Sequence, residues 1–398
     1  LSAMISLGNM ADIDFADCIQ FYAQDPNTKC ISLYIEGVKN GAKFIEVGRA
    51  ARKPIIALKA GVSAHGAAAA ASHTGSLAGA AKVYEGAFKQ AHVVWAKNLD
   101  DLLNKSQALA MQPPLRGDNI VLITNGGGIG VLGTDAAEAN GVPLKTCPPE
   151  LQAEFRKFMP DYGSPKNPVD ITGGSGVPGY EGALRTALES PWVNGACILY
   201  CETAVTKPLE IADAVIKIVK ESPIRYKPVI ACFVGGEKST EAAVRFGENG
   251  IPCYDCPSKA LAAFAALREH AKFEEEGCVP DYTPWPDVNQ ARAREVIARA
   301  RKAGRTALTE PEAKEIFAAY RLPVLASTLA KSEEEAAKAA EKIGFPVVLK
   351  IVSSDILHKS DAGGVRVNIK TVEGVREAYR AILANAKKYK ADADIHGV

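Results

Sequence analysis

Short apolar runs alternate along this chain with longer stretches whose apolar positions recur at helical spacing. Up to about Met111, β-like runs at residues 4–7, 30–35, 54–58 and 93–95 are separated by helical periodicity at 15–24, 43–52 and 80–90. Strands separated by helix-length segments predict a parallel sheet with right-handed crossovers, and such sheets bind ligands beyond the carboxyl ends of their strands. The second run ends in Glu36-Gly37 and the third in Lys59-Ala60-Gly61, so polar and conformationally free residues gather on that edge.

Residues 112–118 (QPPLRGD) are rich in turn formers, and a second alternating unit begins after them. Its first predicted strand, 120–124, runs into Asn125-Gly126-Gly127-Gly128-Ile129-Gly130 and then a helix to about Asn140. Glycines between strand and helix let backbone amides approach a phosphate and aim the helix's positive end at it. The spacing is not that of a Walker A loop. A dinucleotide site and a purely structural tight turn remain open on the residues alone.

The unit continues through NPVDITGG at 167–174 and predicted strands at 196–201, 229–234 and 251–254. It echoes the first. ISLYIEG at 31–37 matches CILYCET at 197–203, and Lys53-Pro54 and Lys227-Pro228 each open a strand that ends in glycine. The fold expected is therefore α/β, with two flavodoxin-like parallel-sheet domains at 1–112 and 118–276, each placing a glutamate, Glu36 or Glu202, at the end of the equivalent strand.

Three prolines without periodicity mark 277–289 as a linker. A third domain at 290–398 opens with helices at 291–302 and 309–320, the second with a capping box from Thr309 to Glu312. A charged helix from Ser332 and a strand at 345–352 follow. The strand leads to a loop, 353–364, where His358 stands beside Lys359 and ahead of Gly363-Gly364, a pair expected to act as a hinge. A loop histidine with no task is the plain alternative.

Composition narrows the class of function. Apolar residues make up 47%, charged residues 23%, and the net charge is +1, so no electrostatic footprint for nucleic acid or an anionic membrane exists. No apolar run reaches membrane-spanning length and the first residues do not resemble a signal peptide, which points to the cytoplasm. The nine cysteines are scattered through apolar runs, as expected of reduced, core-filling thiols. Cys253 and Cys256 form a CxxC, but no second pair accompanies it, and a structural role is the expectation.

The strongest chemical signal is AAAAASHTGSLAG at 67–79. His73 lies among side chains short enough for a bulky group to reach the imidazole, and histidine is a covalent nucleophile. Thr74, Gly75 and Ser76 lead toward the predicted helix 80–90, whose amino end would face an anion on the ring. A second helix end, after Asn125–Gly128, would strengthen that stabilisation, and a carboxylate on the far ring nitrogen would fix the tautomer. Glu36 is the candidate.

SHTGSLAG, together with GNMADIDFADCIQFYAQDP at 8–26, TNGGGIGVLGTDAAEANG at 124–141 and NPVDITGG, resembles the NDP-forming acyl-CoA synthetases, the group that includes ADP-forming acetate–CoA ligase and is related to succinyl-CoA synthetase. LTEPEAKEIFAAYRLPV and FPVVLKIVSSDILHKSDAGGV are similar to the start of that group's ATP-grasp domain. The resemblance implies an acid–thiol ligase that uses ATP/ADP, CoA and Mg2+ and passes a phosphoryl group between acyl phosphate and nucleotide. It implies that His73 is the phosphohistidine, that Glu36 orients it, that Lys350 binds nucleotide phosphate, and that His358 ferries the phosphoryl group on a mobile loop. It also implies a CoA-binding domain before residue 1 and the remaining ATP-grasp domain after residue 398, so the chain is expected to be a fragment without metal ligands of its own. Its partners are expected to be the carboxylic acid, CoA, phosphate and nucleotide, with no nucleic acid and no membrane. A homo-oligomer is expected because large apolar sheet-and-helix units pair. Related domains fused to protein acetyltransferases offer a different reading, a non-catalytic acyl-CoA or nucleotide sensor; retention of both histidines argues for chemistry.

Overall fold

A computed structural model describes residues 1–63, 65–66, 81–277, 287–356 and 358–398. The chain divides into two compact units, Leu1–Pro280 and Asp281–Val398.

The first unit holds two parallel sheets. In one, β1 (Ile31–Ile35), β2 (Ile55–Lys59) and β3 (Val93–Ala96) lie in sequence order, with Ile31 opposite Ile55 and Ile55 opposite Val93. Helices α1 (Phe15–Gln24), α2 (Gly41–Ala50) and α3 (Ala81–Gln90) cover one face, burying Ile19, Phe44 and Phe88 against Ile31, Leu33, Ile35 and Ile55. Helix α1 starts where the sequence demands it: Asp14 caps the amides of Ala16 and Asp17, and Asp17 bonds back to the Asp14 amide. The expected strand at 4–7 does not form. No described strand offers it a ladder, and Met4 and Ile5 are exposed.

The second sheet contains β4 (Ile120–Thr124), β5 (Val169–Asp170), β6 (Gly195–Cys201), β7 (Val229–Val234) and β8 (Cys253–Tyr254) in the order β5-β4-β6-β7-β8, all parallel. Counted within this sheet the order is 2-1-3-4-5, the flavodoxin-like arrangement, whose switch point lies between β4 and β6. The central strands are buried along almost their whole length, which accounts for their unbroken apolar sequence.

The two sheets share a core. Helices α4 (Leu99–Met111) and α10 (Pro257–Glu276) pack between them, so that Ile56 and Val94 of the first sheet belong to one cluster with Leu122, Leu199 and Ile230 of the second. On the other face of the second sheet, α6 (Pro149–Arg156), α7 (Val177–Glu189), α8 (Pro208–Glu221) and α9 (Glu237–Glu248) bury Phe155, Tyr180, Val215 and Phe246 with Ile123, Ile198 and Ala231. Polar ties reinforce the joint between the sheets. Tyr254 donates to the Asn104 carbonyl (2.7 Å), and the Gln112 amide donates to Gly250 O (2.7 Å) while accepting from Val229 N (2.8 Å).

The second unit packs helices α11 (Gln290–Lys302), α12 (Glu310–Ala319), α13 (Glu333–Ile343) and α14 (Val372–Tyr389) with two short antiparallel ribbons, β9 (Val347–Lys350) with β11 (Val365–Ile369) and β10 (Val352–Ser353) with β12 (Ile395–Gly397). The Thr309–Glu312 capping box is present. The single strand expected at 345–352 changes partner at Ile351, which is fully buried and donates its amide to Gly364 O (2.8 Å).

Candidate functional site

His73, Thr74, Gly75 and Ser76 lie outside the described residues. The strand ends of the first sheet are described. Glu36 follows β1 and is half-buried. Lys59, the last residue of β2, is only 3% exposed; its ammonium donates to the Ala60 carbonyl and stands 4.7 Å from the centre of the Tyr84 ring. Burial pushes the Lys59 pKa down, and the negative charge of Glu36 opposes that shift. The carboxylate expected to orient a histidine therefore shares its strand edge with a buried lysine. Gly61, in the left-handed region at φ 72°, then turns the chain off the sheet.

The glycine loop stands at the switch point of the second sheet. Helix α5 (Gly127–Ala139) begins there with Gly126 as its cap and no side-chain cap bond. Asn125, 1% exposed, uses its side chain as a clamp, donating to Cys201 O (2.9 Å) and accepting from Cys201 N (2.8 Å). The Gly126 amide is taken by the Thr124 hydroxyl (3.0 Å). Of the four residues of this loop expected to hold phosphate, Asn125 and Gly126 thus shape the loop, and the first-turn amides of Gly127 and Gly128 are those an anion would meet. A side chain at Gly128 would touch nothing within 4 Å, so that approach is open.

Asp170, which the sequence did not single out as a site residue, flanks this helix end. One of its carboxylate oxygens accepts from Thr172 N (2.9 Å), and the other lies 3.3 Å from where a Cβ on Gly127 would sit. Glu202, just past the end of β6, acts in a comparable way, accepting from Gly236 N (2.7 Å) and the Ser239 hydroxyl (3.0 Å) at the start of α9.

In the second unit Lys350, at the end of β9, meets Glu310 at the first position of α12, Nζ to Oε1 3.0 Å. Lys359 reaches the other oxygen of Glu310 at 3.1 Å, and Lys314 approaches Oε1 at 3.3 Å. Burial pushes the Glu310 carboxyl up, but hydrogen bonds from Lys350, Lys359 and Lys314 outweigh it and bring the pKa to about 2. His358, exposed, immediately precedes Lys359 in a closed turn. Within that turn Gly364 N donates to Lys359 O (2.8 Å), and Asn385 donates to Gly363 O (3.1 Å). The Gly-Gly pair expected to act as a hinge stands in a packed turn. Gly363 has φ 59°, and a Cβ on Gly364 would fall 2.5 Å from Ile351 Cγ2. Among the described residues no three His, Cys, Asp or Glu side chains group as metal ligands.

The structure thus brings Lys350 together with the turn that carries His358, and sets Glu36 and the glycine loop at the carboxyl edges of the two sheets of the first unit. Lys59, Asp170, Glu310, Lys314 and Lys359 were not foreseen as site residues. Lys59 carried a signal in its place at a strand's carboxyl edge, Lys359 in its adjacency to His358, and Glu310 and Lys314 in their four-residue separation on one helix.

Three domain families match in succession along the chain: a succinyl-CoA ligase like flavodoxin domain over residues 1–109, a Ligase-CoA domain over 120–273 and an ATP-grasp domain over 299–398. The alpha subunit of acetate–CoA ligase [ADP-forming] I from Pyrococcus furiosus is 49% identical over 276 residues, 69% of this chain and 59% of that one. The 4-hydroxybutyrate–CoA ligase [ADP-forming] of Nitrosopumilus maritimus is 34% identical across 100% of this chain and 57% of its own length. Among solved structures, the dinucleotide forming acetyl-coenzyme A synthetase 1 of Ca. Korarchaeum cryptofilum, in complex with phosphate and ADP, aligns with a TM-score of 0.65 and 40% identity, covering 68% of this chain and 59% of that one. The chain therefore spans less than three-fifths of the length of these relatives. The order of the three domains and the reach of the similarity across both compact units lead to one conclusion: the chain belongs to the NDP-forming acyl-CoA synthetases.

Proposed function

We propose that this chain belongs to an acid–thiol ligase that interconverts acyl-CoA, ADP and phosphate with a carboxylic acid, CoA and ATP through phosphohistidine. The observation that carries the reading is the convergence of Lys350 and Lys359 beside His358, a cationic cluster suited to nucleotide phosphates. Phosphate displaces CoA from acyl-CoA and gives an acyl phosphate. The His73 imidazole attacks its phosphorus, the carboxylate leaves, and the phosphoryl group stays on the ring nitrogen. Thr74, Gly75 and Ser76, with the amides of Gly127 and Gly128, take up the added negative charge. Glu36 holds the opposite ring nitrogen as N–H. His358 then receives the phosphoryl group and passes it to ADP, whose phosphates rest on Lys350.

Magnesium would neutralise charge on the transferring phosphoryl oxygens. Among the described residues no three His, Cys, Asp or Glu side chains group to hold it, and the metal ligands are assigned to no residue of this chain. The acid is a small one, acetate or another short carboxylate, since relatives named for acetate and for 4-hydroxybutyrate are both similar to this chain. Those names favour catalysis over the sensing module. No helix among the described residues is long and apolar enough to cross a membrane. We place the enzyme in the cytoplasm, with its small-molecule substrates, and take it to be a homo-oligomer.

The test is phosphosite mapping after incubation of the protein, in its full reading frame, with ATP and magnesium, avoiding acid throughout. Wild type should carry phosphate on His73, and both His73→Asn and His358→Asn should lose it. Folded, ATP-binding protein with no phosphate on either histidine would refute the reading.

A further inference from the structure

Three ammonium groups meet one carboxylate at Glu310, which leaves an excess of two positive charges around a side chain that is only 27% exposed. One lysine would suffice to neutralise it. The three differ in kind. Lys314 lies one turn along the same helix and shares Oε1 with Lys350, so it stays beside Glu310 for as long as α12 is intact. Lys350 comes from β9 and Lys359 from the turn after it, each on a different oxygen of Glu310. A carboxylate bridging two ammoniums through two oxygens presents them as a phosphate group would.

We propose that Glu310 is a positioning residue, an internal stand-in for phosphate: it holds Lys350 and Lys359 together in the nucleotide-free protein and yields them to the terminal phosphates of an incoming nucleoside triphosphate, keeping Lys314 as its remaining partner. The inference rests on the reading of Lys350 as a nucleotide-phosphate ligand. Phosphate offers more charge and more acceptor oxygens than a carboxylate, so the two lysines gain by the exchange. Glu310 loses little, because Lys314 still neutralises it and no partly buried carboxylate is stranded. Since Lys359 adjoins His358, the exchange also transmits nucleotide arrival to the turn that carries this histidine.

The consequence is unusual for a salt-bridge residue: removing its charge should improve binding. The experiment is calorimetric titration of the full chain with MgATP at fixed ionic strength, with thermal unfolding of each variant recorded in parallel. Glu310→Gln should bind about tenfold more tightly while unfolding at a lower temperature, a pairing that a purely structural role does not produce. Glu310→Asp, which keeps the charge but draws it back by one methylene, should fall between the two. Lys314→Met should weaken binding several-fold in the wild-type background and have no effect once Glu310 is Gln. Weaker or unchanged binding by Glu310→Gln, or an equal effect of Lys314→Met in both backgrounds, would overturn the proposal. Undiminished binding by Lys350→Met would instead remove the phosphate-ligand reading beneath it.

Discussion

Replacing Asn125 by Ala tests whether the switch point of the second sheet is held by a side chain that imitates a strand. The last β4–β6 pair is Thr124 opposite Leu199, and beyond it the β4 backbone turns away into the glycine loop. Asn125 continues the ladder with its own amide, meeting Cys201 N at 2.8 Å and Cys201 O at 2.9 Å. Two neutral hydrogen bonds contribute about 1 kcal/mol each, and leaving both Cys201 groups without partners adds about 1 kcal/mol or more. The expected loss is about 3 kcal/mol, roughly a 150-fold rise in the unfolding constant. Cys197 and Cys232, fully buried on β6 and β7, provide the assay: their rate of thiol labelling, read by peptide mass spectrometry, follows the opening of this sheet. Asn125→Asp has the same size but sets a second acceptor against the Cys201 carbonyl, and it should cost at least as much. A change below about threefold in labelling for Asn125→Ala, or wild-type behaviour in Asn125→Asp, would show that the clamp contributes little and that the loop is held by its glycines alone.

Acid should weaken the two units over different ranges. In the first unit burial holds the His92 and His270 imidazoles below their ordinary 6.5, with Arg49 and Arg116 acting in the same direction and Glu276 and Glu274 against it. Unfolding then takes up protons, so stability is full above about pH 6.5 and falls as the pH drops from there toward the lowered folded values. In the second unit Glu310 and Glu312 have pKa values of about 2 against an ordinary 4.5, Glu312 chiefly through its bond from Arg305, so stability is lost only as pH falls from about 4.5 to about 2. Thiol labelling follows the first unit and limited proteolysis of the cysteine-free segment 287–398 follows the second; coincident loss would refute the separation. Gly235→Ala would put a Cβ 2.2 Å from Glu202 Oε2 and 2.4 Å from Ser239 Oγ, and is expected to cost about 1–3 kcal/mol in denaturant unfolding by displacing the carboxylate that caps α9.

The fold was legible where periodicity and capping agree. Thr309 with Glu312 announced its helix, and the buried strands β4, β6 and β7 announced themselves as unbroken apolar runs, while the Asp14–Asp17 cap of α1 emerged only in the structure. Residues 4–7 have the same apolar look without a partner strand, which is a property of the assembled sheet and not of the run. At the site, the glycine loop could be read from the sequence because a strand, its turn and the following helix are contiguous, whereas Lys350 was named only through the family resemblance. Asp170 could not, because its approach to Gly127 depends on β5 pairing with β4 across a long insertion. The second role of Asn125, as clamp, was hidden for the same reason: its partner Cys201 lies 76 residues away.

Helix α10 has a bearing on how such a molecule can be divided or recombined. Pro257, Leu261, Phe264, Leu267 and Phe273 are all buried, and its neighbours come from both sheets. A cut near residue 112 would expose Leu109, Leu115 and the face of α10 to water at once, so the two echoing halves are not separable cassettes. Gene fission, fusion or domain exchange that spares the interior has its opening after α10, between the two compact units. Chimaeras joined there should express, and chimaeras joined between the sheets should aggregate.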